Sequence, residues 1–217
     1  MKTHQDIYEK IREAAVVPVV AIDSVDAALP LADALIAGGL PVVEITFRTT
    51  AAADVIKLLT KQRPELLLGA GTLLNVDDLK RAEASGAEFA VAPCLDPGVV
   101  KAAMKIDLPF APGVMTPTDI EQALSLGVTK LKFFPAEAAG GIKFLESISA
   151  PYKHLGVQFI PTGGINAGNM TEYLCSDVVL AVGGTWVAKR DDIAAGNWSR
   201  IADNCRQIRS VLSAGHN

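Results

Sequence analysis

Eight apolar runs, each strand-sized and each followed by a stretch with helical periodicity, constrain this chain more than any other feature. They fall at 16–22, 41–47, 66–71, 88–92, 108–112, 129–134, 157–161 and 178–182. Continuous apolar runs are the pattern of parallel strands buried on both faces. The helix starts are well marked. Thr116-Pro117-Thr118-Asp119 sets a capping threonine before proline at the first helical position, and Asp96-Pro97 and Asn75-Val76-Asp77-Asp78 repeat the device. Gly38-Gly39, Gly86 and Gly127 follow helical runs, where a C-terminal glycine belongs. Eight such units with short loops predict an α/β fold, a closed (β/α)8 TIM barrel forming a single domain over 1–217. An open doubly wound sheet is the alternative, although it usually needs fewer strands. Residues 3–15 predict an additional N-terminal helix covering the bottom of the barrel, and 196–215 the last helix. Pro30 falls inside the helix that follows Ser24 and is expected to bend it or to cost stability.

The 217 residues are half hydrophobic, so a core of this size can be buried, and they carry a net charge of −4 without a basic run. That balance argues against a nucleic-acid partner. The polar start Met1-Lys2-Thr3-His4-Gln5-Asp6 is followed by no signal-like segment, and no apolar run reaches membrane-spanning length. Cys94, Cys175 and Cys205 are an odd, scattered set, read as free thiols of a cytoplasmic protein, with Cys94 packed near the fourth strand end. His4, His154 and His216 stand far apart and form no metal-binding motif, so no metal is expected.

In such barrels the active site is the rim at the C-terminal strand ends. Lys132 sits there in the sixth run, between Leu131 and Phe133-Phe134. Burial disfavours an ammonium ion, and only a neutral amine attacks a carbonyl. At a reference pKa of about 10.4, roughly one amine in a few thousand is neutral at pH 7. A desolvated lysine at a strand end is therefore a candidate Schiff-base nucleophile. The alternative is an amphipathic lysine whose stem packs while its head reaches solvent. The second run reads Val43-Glu44-Ile45-Thr46-Phe47-Arg48. Side chains alternate at period two, which turns Glu44, Thr46 and Arg48 inward if the apolar residues face the helices. A buried carboxylate is costly unless paired or functional; a Glu44–Arg48 buttress is the structural alternative. Strands two and six lie opposite each other in an eight-stranded barrel, so Glu44 and Lys132 are expected to face across the mouth with a substrate between them, and not as a direct ion pair. Gly69-Ala70-Gly71-Thr72 offers close backbone approach and a hydroxyl. Paired glycines, Gly163-Gly164 and Gly183-Gly184, end the seventh and eighth runs, where barrels place a phosphate site.

Taken together these stretches resemble the 2-keto-3-deoxy-6-phosphogluconate (KDPG) aldolases, also active as 4-hydroxy-2-oxoglutarate (KHG) aldolases. The matching segments are Val16-Val17-Pro18-Val19, Val43 to Thr49, Gly69 to Thr72, Lys132-Phe133-Phe134-Pro135-Ala136-Glu137, Pro161 to Ile165 and Gly183 to Trp186. They occur in the family order, and the Lys132–Glu137 stretch is the most specific. The resemblance implies a metal-free, cofactor-free class I lyase, usually trimeric, acting on a small 2-keto acid phosphate in the Entner–Doudoroff pathway. By it Lys132 would form the Schiff base and Glu44 would be the general acid/base. Arg48 and Thr72 would hold the substrate carboxylate, Phe134 would lie beside the imine and Thr162 would line the pocket. Gly163, Gly164, Gly184 and Thr185 would hold the phosphate. Thr185 stands where serine is expected, and its hydroxyl can still donate. Two other classes stay open: a sugar-phosphate isomerase or epimerase, and a non-catalytic phosphosugar-binding barrel.

Overall fold

The computed structural model describes residues 3–214. The fold is α/β and every strand pairing is parallel. The strands are β1 (Val16–Val20), β2 (Val42–Thr46), β3 (Leu67–Gly71), β4 (Phe89–Val91), β5 (Phe110–Ala111), β6 (Gly113–Val114), β7 (Lys130–Phe133), β8 (Gln158–Pro161) and β9 (Val182–Gly184). One six-stranded sheet has the order β5-β4-β3-β2-β1-β9, and a three-stranded sheet the order β6-β7-β8. Isolated bridges, Phe159 with Val179 and Thr162 with Gly183, connect the region of β8 to that of β9.

Two expected strands differ. The run at 108–112 gives way to β5 and β6, which meet at Pro112. Proline has no N–H to donate to a ladder; its carbonyl accepts from the Lys132 N–H. The run at 178–182 starts its regular strand only at Val182, residues 178–180 being tied to β8 by the Phe159–Val178 and Leu180–Phe159 backbone bonds.

Helices follow the strands. The N-terminal helix α1 (His4–Ala14) opens with a capping box between Thr3 and Asp6. Its Ile7, Ile11 and Ala14 join Val17, Val42, Leu67, Phe89, Val91, Ala111 and Ile160 in one apolar cluster on the inner face of the sheets. The outer faces, through Val43, Ile45, Leu131 and Phe133, belong to a second, larger cluster shared with the remaining helices. Pro30 falls in the first turn of its helix and not in its interior. A 3-10 turn at Val25–Ala27, capped by Ser24, leads into α2 (Ala28–Ala37), and Pro30 is the third residue of that helix. The first four N–H groups of a helix have no intrahelical partner, so proline loses nothing there. The last helix spans Trp198–Ala214; Gly215, included in the expected range, lies outside the described residues, as does His216. Among the described residues no helix is long and apolar enough to cross a membrane. Cys205 is buried, which pushes its thiol up to about 12, whereas Cys94 is exposed and not packed as expected, because it follows β4 in the turn before the next helix.

Candidate active site

Lys132 and Glu44 lie on the inner faces of β7 and β2, only 5% and 3% exposed. The Lys132 Nζ donates to both carboxylate oxygens of Glu44, at 3.0 Å to Oε1 and 3.1 Å to Oε2. This corrects the expectation of two separated groups. Each charge alone would be costly so far from water. The combined reach of two long side chains spans the interior, and pairing offsets much of the desolvation. Gly71 makes the contact possible: a Cβ there would collide with the Glu44 carboxylate. The glycine thus serves Glu44, where close approach of a ligand to the backbone was expected.

The pair opens onto a cavity of about 220 Å³ at the C-terminal strand ends. Arg48, Thr72, Phe134, Thr162, Gly163, Gly164 and Thr185 line it, as do Val19, Thr46, Pro93, Ile165 and Gly183. Arg48 makes no ion pair among the described residues, so it is not a buttress for Glu44; its Nε donates to the Thr46 hydroxyl at 3.2 Å. Thr72 sits just after β3 at φ 60°, in the left-handed region. For a β-branched residue this conformation is a genuine outlier costing of order 1–3 kcal/mol, and such strain clusters at ligand clamps. A larger groove of about 390 Å³ near the N-terminal ends is lined by His4, Tyr8, Asp107 and Lys130. Burial, helped by Arg12, holds the half-buried Lys130 below the ordinary lysine range, but among the described residues no carboxylate pairs with it as Glu44 does with Lys132. Among the described residues no group of three His, Cys, Asp or Glu side chains is arranged to hold a metal ion.

A buried amine–carboxylate pair at the floor of a cavity fits imine chemistry, and comparison with known proteins agrees. The profile of the KDPG and KHG aldolase family matches residues 7–204. The 2-dehydro-3-deoxy-phosphogluconate aldolase of Haemophilus influenzae is 44% identical over 210 residues, covering 97% of this chain and 98% of the relative. The KHG/KDPG aldolase of Escherichia coli K12 is 41% identical over 192 residues, covering 88% and 89%. The chain belongs to the KDPG and KHG aldolase family. It is an aldolase, and hence a lyase. Among solved structures, the KDPG aldolase of Legionella pneumophila, with pyruvate captured as a covalent carbinolamine intermediate, superposes with a TM-score of 0.89 at 38% identity, covering 95% of this chain and 98% of that one.

Within this aldolase the glycine-rich strand ends divide into two kinds. The N–H groups of Gly164 and Ile165, and those of Thr185 and Trp186, donate to no acceptor among the described residues. Successive free N–H groups at a concave strand end are an anion-binding arrangement. Gly184, by contrast, is not on the cavity wall, and a Cβ there would collide with the Trp186 ring. Its lack of a side chain is required by packing. Gly183, its neighbour, lines the cavity instead, and a Cβ there would meet the Thr162 hydroxyl. Sequence reasoning left Gly183, Thr46, Val19, Pro93 and Ile165 without a site role. Period two already turned Thr46 inward, and the glycine pair flagged Gly183. Val19 and Ile165 carry no signal, since an apolar lining residue reads like core.

Proposed function

We propose that this aldolase cleaves 2-dehydro-3-deoxy-6-phosphogluconate to pyruvate and D-glyceraldehyde 3-phosphate, and 4-hydroxy-2-oxoglutarate to pyruvate and glyoxylate. Lys132 is the nucleophile and Glu44 the proton carrier. The observation that carries this reading is the buried Lys132–Glu44 contact opening onto the cavity. A carboxylate at 3.0 Å gives the ammonium proton a defined acceptor, which leaves the neutral amine to add to the C2 ketone. Glu44 then protonates the departing hydroxyl of the carbinolamine, water leaves, and a protonated imine remains. Glu44, again a carboxylate, takes the C4 hydroxyl proton through a water. The C3–C4 bond breaks, its electrons flow into the imine, and the aldehyde leaves. Glu44 returns the proton to C3 of the enamine, and hydrolysis frees pyruvate and Lys132. Arg48 and Thr72 hold the substrate carboxylate, Phe134 flanks the imine and Thr162 lines the pocket. The loops bearing Gly163 and Gly164, and Gly184 and Thr185, receive the phosphate, a role supported by the unpaired N–H groups there.

The scaffold for this chemistry is read as one domain over 1–217 forming a closed (β/α)8 barrel. Continuity through Pro112 and the two bridges beside β9 support it. The homotrimer rests on the family resemblance, and sedimentation measures it. Free Cys94, Cys175 and Cys205 support a cytoplasmic protein. Borohydride reduction with pyruvate tests the function: the enzyme should be inactivated with a reduced pyruvyl group on the peptide holding Lys132. An isomerase or a binding barrel would trap nothing.

A further inference from the structure

Thr46 ends β2 with its side chain 1% exposed, two residues after Glu44 on the same inner face. Its hydroxyl lies 2.9 Å from the Val20 carbonyl and 3.2 Å from the Arg48 Nε. A hydroxyl has one proton to give. A carbonyl can only accept and a guanidinium can only donate, so both directions are fixed: Thr46 gives its proton to Val20 and takes the Nε–H of Arg48. Thr49, on the far side of Arg48, donates to the Ile22 carbonyl at 2.6 Å. Two threonines therefore fasten the turn that bears Arg48 to the backbone carbonyls of Val20, at the end of β1, and of Ile22, two residues beyond it, and one of them also holds the guanidinium itself. A guanidinium presents two edges to a carboxylate, one through Nε and a terminal nitrogen, the other through both terminal nitrogens. With Nε committed to Thr46, only the second is left.

We infer that Thr46 is a positioning residue. It holds Arg48 so that the pyruvyl carboxylate is received end-on, by Nη1 and Nη2. This rests on the reading of Arg48 as the carboxylate holder and adds to it the residue that aims it.

The test is the exchange of pyruvate methyl protons with deuterated solvent, followed by NMR, which needs neither phosphate nor bond cleavage. Thr46→Val keeps the shape and removes the hydroxyl. Hydrogen bonds to charged groups correspond to roughly a ten- to hundredfold change, so KM for pyruvate should rise by about that factor while kcat for exchange changes much less. Thr46→Ser, which keeps the hydroxyl, should restore most of the affinity. Arg48→Ala should raise KM at least as far, and adding Thr46→Val to it should cost nothing more, since coupled residues are not additive. A merely structural threonine would lower thermal stability and kcat alike, with the same loss in the Arg48→Ala background. Should Thr46→Val not fold, Thr46→Ala, which leaves room for water at the Val20 carbonyl, must show the same rise in KM. Wild-type KM in the Thr46 variants alongside a raised KM in Arg48→Ala overturns the inference alone. Wild-type KM in Arg48→Ala overturns both the inference and the reading of Arg48.

Discussion

At the N-terminal ends of the strands, Ile7, Ile11 and Ala14 of α1 pack against Val17, Val42 and Leu67 in a purely apolar cluster. At the C-terminal ends, two to four residues further along those same inner faces, stand Glu44, Thr46, Lys132 and Thr162, all buried and all polar or charged. On β2 the inner face runs Val42, Glu44, Thr46; on β8 and just beyond it runs Ile160, Thr162. One register of side chains thus changes from core to chemistry within about 7 Å of strand. The apolar end gains free energy on folding, while the polar end contains a buried ion pair that is weak evidence of stability by itself and a strained Thr72. The contrast explains how a site can keep desolvated charges: the end that α1 covers offsets what the open end costs.

The sharpest way to break this division is at the two lysines of β7, which share a face two residues apart. Lys132→Arg should abolish aldol cleavage and borohydride trapping, because a guanidinium stays protonated and is no nucleophile. Mass spectrometry of trapped wild-type protein should find the label on Lys132; a label on Lys130, at the other end of the strand, would reverse the assignment. Next in size is Glu44→Gln, which should still trap some pyruvate but slow methyl-proton exchange by about 10²–10⁴-fold, the usual contribution of acid/base catalysis. Exchange at the wild-type rate would assign the proton to another group. At the opposite end, Ile11→Ala should lower unfolding free energy by about 2–5 kcal/mol, measured by denaturant titration, and leave KM for pyruvate unchanged. A large change in KM would mean that the two ends are not separable. The smallest effect is expected at Thr185. Thr185→Ala should reduce kcat/KM for the phosphorylated substrate by about ten- to a hundredfold and spare 4-hydroxy-2-oxoglutarate, which has no phosphate. This substitution is preferred to Gly184→Val, whose side chain would displace Trp186 whatever its effect on phosphate.

Much of this was legible because it depends on short-range periodicity. The strand–helix alternation, the capping residues before the helices at Pro97 and Pro117, and the inward turn of Glu44, Thr46 and Arg48 all follow from period two, period 3.6 and the chemistry of helix ends. Lys132 stood out for the same reason: a charge inside an apolar strand must be explained locally. Pro30 was misread by a matter of register. A 3-10 turn that sequence patterning does not distinguish from the start of a helix moves it into the first helical turn.

What chain order alone determined, then, is which residues point the same way on each strand and which few polar ones are turned toward the interior. How far across that interior they reach was decided only in three dimensions. The direct Lys132–Glu44 contact joins residues 88 apart in sequence. It needs Gly71 on a third strand to leave room for the carboxylate. The division of labour between Gly183 and Gly184 likewise depends on where Trp186 and Thr162 pack. Period and propensity act over a few residues, whereas a collision or an ion pair depends on distances between strands, and those distances exist only once the sheets have assembled.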